Sequence, residues 1–271
     1  MPELPEIETI KKGLEKLIVG KKIKSISAAS PKQIKPSLKE VKKNIVGKKI
    51  KKVKRRGKLL LIILEKNLVL GVHLKMTGRL FFRIKIDPED DYQRAVISLS
   101  EGAELRLSDL RKFAYIRLIK GKNNLDNILN EFGPEPFSDL SFSYFKKLLS
   151  STSRSIKVLL MDQSKISGIG NIYANEALFL ARLDPRKSAN EISEKKVKKL
   201  YEAILEVLKR GLQYRGASDQ YYLDAKGEKG SYQDHFLVYK REGQKCFGCP
   251  GKVKRIKLGG RGTFFCPACQ K

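Results

Sequence analysis

The chain has no cysteine before position 246, only two histidines, no long apolar run, and half as many acidic as basic residues. Each shortage excludes something. With all four cysteines between 246 and 271, no disulfide framework can run through the chain. One local metal site in a reducing compartment is expected instead. The longest unbroken aliphatic stretch, Leu59–Leu64, is far too short to span a bilayer. The N-terminus is acidic and has no apolar h-region, so no secretory signal is expected. A lone histidine on a strand, such as His73, is more often structural than catalytic.

What is abundant is positive charge. Lys and Arg total 57 against 29 acidic residues, a formal net charge of +28. A chain this basic calls for a polyanionic partner. The basic residues are spread along the sequence and form no lipid-docking tail, so nucleic acid is expected rather than a membrane. With 271 residues, 41% of them hydrophobic, the chain can build one large core or two to three smaller ones.

The opening stretch MPELPEIETI reads as a helix start. Pro5 suits the first helical turn, Glu3 and Glu6 suit the positive end of its dipole, and Leu4, Ile7, Ile10, Leu14 and Leu17 recur as one buried face. From about residue 18 to 120 the pattern is of strands. IVGKKIKSI at 18–26 and IVGKKIKKV at 45–53 read as two similar strands entered through a glycine. KLLLIILE and NLVLGVHL read as buried strands, and AVISLSEGAELRLSD as a hairpin. A β-sandwich or barrel with the N-terminal helix packed on it is expected. EFGPEPFSDLS at 131–141 marks a hinge. Beyond it Val197, Leu200, Ile204, Leu208 and Leu212 form a helical stripe, and a polar loop with several glycines follows. The reading is therefore α+β and multi-domain, with domains at 1–120, 131–225 and 236–271.

Cys246, Cys249, Cys266 and Cys269 form a C-x2-C-x16-C-x2-C array, the spacing of a four-thiolate zinc site. One zinc ion is expected, and a structural one, because four thiolates leave no open position. VKRIKL and TFF would be strands joined by GGRG, which presents Arg261 at a tip suited to phosphate. Gly168 and Gly170 precede Asn171 and a helix-compatible run, so backbone N–H groups could face a phosphate there. Met76 lies in a turn, and Arg111 and Phe113 in another strand connection. A basic residue and an apolar wedge on neighbouring loops suit an enzyme that extrudes a nucleotide and must fill the hole.

Taken in order, PELPE, RRGK at 55–58, HLKMTGRL, DLRKF, GIGNIYANEALF and CFGCP…GGRGTFFCPACQ resemble the bacterial formamidopyrimidine-DNA glycosylase family over nearly the whole chain. The resemblance implies an N-terminal β-sandwich with a long helix, a helix–two-turn–helix domain and a C-terminal β-hairpin zinc finger. It implies excision of oxidised purines from damaged double-stranded DNA followed by strand cleavage, by a monomer in the bacterial cytoplasm. Pro2, once Met1 is removed, corresponds to the nucleophile and Glu3 to the acid/base residue, with Glu6 supporting the same site. Lys58 corresponds to a functional lysine near the lesion. His73 and Lys157 correspond to DNA or lesion contacts, and Met76, Arg111 and Phe113 to a trio that enters the helix from the minor groove. Asn171 and Arg261 correspond to a pair that grips phosphates around the flipped nucleotide, Arg261 counting among the catalytic set.

A terminal proline is chemically apt. Its secondary amine would leave a cationic iminium after attack on C1′, and an α-amine with a pKa of roughly 8 is partly neutral at pH 7. Two departures from the family stand out: Ala114, where glycine is common, and the loop 215–232, which is not closely matched. Two rivals remain from the sequence. One is the sister enzyme for oxidised pyrimidines, endonuclease VIII, and the other a non-catalytic zinc-ribbon protein.

Overall fold

Helix α1 (Leu4–Ile18) buries Leu4, Ile7, Ile10, Leu14 and Ile18, the face its spacing predicts, while Leu17 is partly buried. Glu3 is its N-cap and Pro5 sits in the first turn, where a missing N–H leaves no intrahelical bond unmade. The computed structural model describes residues 1–29 and 31–271. They gather into two compact units, Met1–Asn130 with Tyr214–Ser231, and Glu131–Gln213 with Tyr232–Lys271.

The first unit continues with β1 (Ile23–Ala28), β2 (Ile34–Lys35), α2 (Leu38–Ile45), β3 (Ile50–Arg56), β4 (Leu59–Leu64), β5 (Leu68–His73), β6 (Gly78–Ile84), β7 (Gln93–Leu99), β8 (Ala103–Asp109), β9 (Tyr115–Lys120) and α3 (Lys122–Asn130). Strands β1-β7-β8-β6 form one sheet and β2-β9-β5-β4-β3 a second. Their inward residues, among them Ile26, Leu80, Ile97 and Leu105 from one and Val53, Leu60, Leu70 and Ile116 from the other, join the α1 face in a single core. This is the expected sandwich.

The two sequence echoes are not simply strands. Each begins as the last turn of a helix, α1 or α2, turns at Gly20 (φ +90°) or Gly47 (φ +82°), and then becomes β1 or β3. Glycine is favoured at both turns because a β-carbon disfavours positive φ. The copies also pair with each other. Gly20 N–H donates to Ile50 O (2.9 Å), Ile50 N–H to Lys21 O (2.9 Å), Ile23 N–H to Lys48 O (2.9 Å) and Gly47 N–H to Ile23 O (2.8 Å).

The second unit holds α4 (Phe142–Ser150), α5 (Ile156–Leu160), α6 (Asn171–Leu180), α7 (Glu194–Gln213) and the hairpin β10 (Lys254–Leu258) and β11 (Arg261–Phe265). Ser141, in the predicted break, caps α4 by accepting Tyr144 N–H at 3.1 Å. Helix α7 buries Val197, Leu200, Ile204 and Leu208, with Leu212 half-buried. The zinc-type module is clustered with these helices and packs Val238, Val253, Phe264 and Cys266 around Phe179 of α6. Residues 214–225 pack with the first unit. There, Phe82 N–H donates to Ala225 O at 2.7 Å, and Ala225 and Tyr222 join the sandwich core. Among the described residues, no helix is long and apolar enough to cross a membrane.

Candidate functional site

Three predicted residues meet at the start of α1. Pro2, Glu3 and Glu6 are all buried, whereas Met1 is 42% exposed. Glu6 turns back so that one carboxylate oxygen accepts Glu3 N–H at 2.8 Å, which ties down the residue beside Pro2. Its other oxygen accepts Ala217 N–H, also at 2.8 Å. The divergent loop therefore rests on Glu6. Gly216 is required there twice over, since its φ is +86° and a β-carbon would come within 2.8 Å of Glu6 Oε1. The buried Tyr222 hydroxyl donates to Arg215 O at 3.1 Å, and burial, then the Glu6 charge, raises its pKa.

Lys58 and His73 come together at one end of the second sheet. Gly57 and Lys58 form the two-residue turn between paired Arg56 and Leu59, and Leu59 pairs with His73 on the neighbouring strand. Lys58 is 3% exposed. Arg55 anchors this hairpin to α1 through Glu8 at 3.0 Å. His73 Nδ1 accepts Lys75 N–H at 3.0 Å, which leaves the ring proton on Nε2. Burial, reinforced by the charges of Lys75 and Lys58, lowers the His73 pKa to about 3. The imidazole is neutral at neutral pH, a hydrogen-bond donor rather than a cation.

Met76 lies in the connection from β5 to β6, and Arg111 and Phe113 in the connection from β8 to β9. Arg111 and Phe113 are exposed and Met76 half-buried. The Arg111 guanidinium lies 4.9 Å from the Phe113 ring centroid, so the cation and the wedge are presented as a stacked pair.

In the second unit, Asn171 opens α6, and Arg261 is exposed as the first residue of β11. Arg261 follows the two-residue turn Gly259–Gly260, since it pairs with Leu258, and so lies beside the tip rather than on it. Lys157 departs from the contact expected of it. It is 0% exposed, and its ammonium donates to Asn171 Oδ1 (2.7 Å), Gly262 O (3.1 Å) and Thr263 Oγ1 (2.7 Å). A lysine whose ammonium has three protein acceptors supports Asn171 and the hairpin from within, and does not reach outward.

Four cysteine sulfurs lie within 4.8 Å of one another. Cys246 and Cys269 are 3.7 Å apart and Cys249 and Cys266 3.4 Å, far beyond the ~2.05 Å of a disulfide. A tetrahedron with metal–sulfur bonds of about 2.3 Å has sulfur–sulfur edges of about 3.8 Å, so the four residues fit a zinc ion.

Three family descriptions match in succession: the formamidopyrimidine-DNA glycosylase N-terminal domain over residues 1–116, its H2TH domain over 132–222, and the zinc finger found in FPG and IleRS over 243–271. A formamidopyrimidine-DNA glycosylase of Pelotomaculum thermopropionicum is 41% identical over 275 residues, covering all of this chain and 99% of that protein. The chain belongs to the formamidopyrimidine-DNA glycosylase family. Lactococcus lactis Fpg, solved with DNA containing an abasic site, superposes with a TM-score of 0.94 at 35% identity over 99% of both chains. MutM, solved with DNA containing carbocyclic 8-oxo-G, does so with a TM-score of 0.92 at 35% identity over both whole chains. As in that family, the four cysteines hold one structural zinc.

Several residues that build this glycosylase fold's sites lie within the motifs quoted above but were given no role there. Asn175 accepts Phe264 N–H at 2.8 Å, and the fully buried Glu176 accepts the N–H groups of Leu237, Val238 and Tyr239 at 2.8–3.0 Å. Burial raises the Glu176 pKa against those three donors. With Lys157 they dock the finger onto α6, the helix that carries Asn171. Asp109 and Thr77, which hold the wedge connections, were also missed.

Proposed function

We propose that the protein is a bifunctional DNA glycosylase and abasic-site lyase of base excision repair, acting on oxidised purines such as 8-oxoguanine and formamidopyrimidines in duplex DNA. The observation that carries this reading is the start of α1, where a buried Pro2 precedes Glu3, whose N–H is held by Glu6, in a chain of this family. With Met1 removed, the Pro2 lone pair attacks C1′, and the glycosidic bond breaks as the base leaves with a proton. Glu3, adjacent to the amine, moves protons. Opening of the sugar ring leaves an iminium, which draws electrons from C2′. Loss of the C2′ proton then expels the 3′ phosphate, and a further elimination expels the 5′ phosphate. Water releases the sugar remnant from Pro2.

The other residues take supporting roles. Lys58 and neutral His73 face the lesion and its backbone, and Met76, Arg111 and Phe113 occupy the space a flipped nucleotide leaves. Asn171 and Arg261 bind phosphates, with Lys157 positioning Asn171. The functional division into 1–120, 131–225 and 236–271 follows these roles, and a monomer in the bacterial cytoplasm suffices for them. The test is incubation with duplexes carrying one 8-oxoguanine or one oxidised pyrimidine. Preferential excision of the purine with strand cleavage at both phosphates is expected. Preference for the pyrimidine would reassign the chain's lesion class.

A further inference from the structure

The two connections that carry Met76 and the Arg111–Phe113 pair are wound on one buried carboxylate. Asp109, 1% exposed at the end of β8, accepts the Thr77 hydroxyl and Arg111 N–H (3.2 Å) on one oxygen. Its other oxygen accepts the N–H groups of Phe113 and Ala114, each at 2.7 Å. Thr77, the residue after Met76, also accepts Arg111 N–H on its own oxygen at 3.1 Å. Four donors thus converge on one side chain, and a single hydroxyl bridges the two connections.

Both connections contain a lysine in the left-handed region, Lys75 (φ +52°) beside Met76 and Lys112 (φ +61°) between Arg111 and Phe113. Residues with a β-carbon avoid that region unless their surroundings hold them there. The connections also meet by contact, since a β-carbon at Gly78 would lie 2.8 Å from the Ala114 methyl. The Ala114 methyl thus sits where the facing residue, Gly78, has no β-carbon.

We propose that Asp109, acting through Thr77, is the positioning residue that joins the two connections into one unit, so that Met76, Arg111 and Phe113 enter the duplex together. This rests on the function proposed above. Loosening the clasp slows extrusion of a stacked, paired lesion and leaves the chemistry at Pro2 untouched. An abasic nucleotide has no base to unstack and is little affected.

Thr77→Val removes the bridge and keeps the shape, Thr77→Ser keeps the hydroxyl, and Asp109→Asn puts an amide NH2 donor where an acceptor is needed. Three readouts are measured under single turnover: excision of 8-oxoguanine from duplex, cleavage at a preformed abasic site, and fluorescence of a 2-aminopurine beside the lesion, which reports extrusion. Thr77→Val and Asp109→Asn are expected to slow extrusion and excision about tenfold, with abasic cleavage at the wild-type rate and Thr77→Ser restoring both. Equal losses on both substrates would mean general structural damage and would overturn the proposal. So would unchanged excision in Thr77→Val, which decides the matter if Asp109→Asn does not fold. Wild-type protein that cleaves neither substrate would overturn the function itself, and the clasp with it.

Discussion

A histidine between two lysines is a poor place for a third positive charge, and His73 shows the consequence. Its pKa falls from the ordinary 6.5 to about 3 in the folded chain, through burial and then Lys75 and Lys58. Between those values the unfolded chain takes up a proton that the folded chain refuses. Stability is therefore lost as pH falls below about 6.5 and is unaffected above it. His73→Gln retains an acceptor for Lys75 N–H without the titration. Denaturation curves at pH 7.5 and pH 5 should show wild type losing more stability than the variant over that interval. Equal losses would mean that His73 titrates normally. Charge also explains why Lys157 is not an outward contact. A buried ammonium must be matched by acceptors, and Asn171, Gly262 and Thr263 supply them.

The hairpin β10–β11 has five residues in each strand, too few for a core of its own, so zinc–thiolate bonds supply its folding energy. Metal removal should unfold this module and release Phe264 from Asn175 and Gly262 from Lys157 and Asn171. Exchange against a strong chelator should abolish duplex binding while far-UV circular dichroism, dominated by the sandwich and α7, changes little. Unchanged affinity in a zinc-free sample would show that the finger does not hold the DNA contacts. The finger was legible because two close pairs of cysteines at this separation suit little besides a metal ion. Helix α1 was legible for a similar reason, its apolar residues recurring over several turns. Helix α2 was overlooked although Leu38, Val41 and Ile45 stand at helical spacing, because it is only eight residues long and lies between strands. The two echoed segments, read as strands entered through a glycine, do become strands after Gly20 and Gly47, and only the helix ends before each glycine were not foreseen. The Asp109 clasp left no trace, since a carboxylate accepting backbone N–H groups imposes no pattern on its partners' side chains. Nor did the Glu6–Ala217 bond, which joins distant parts of the chain.

At the scale of the whole molecule, the formal +28 charge makes phosphate contacts the main source of affinity, so binding should weaken steeply with salt through counterion release. Arg261→Ala should reduce the slope of log affinity against log salt by about one unit, measured by titration of a fixed duplex. A slope equal to that of wild type would place Arg261 off the phosphates. Charge explains binding but not chemistry, and the central claim is that the second residue is the nucleophile. Borohydride added during turnover of a lesion-bearing duplex reduces an iminium to a stable covalent link, and peptide mapping locates it. The account predicts an adduct on Pro2 in protein lacking Met1, and none in protein retaining an extra N-terminal residue, whose amide nitrogen has no basic lone pair. An adduct on Lys58 or another lysine, with Pro2 unmodified, would contradict it.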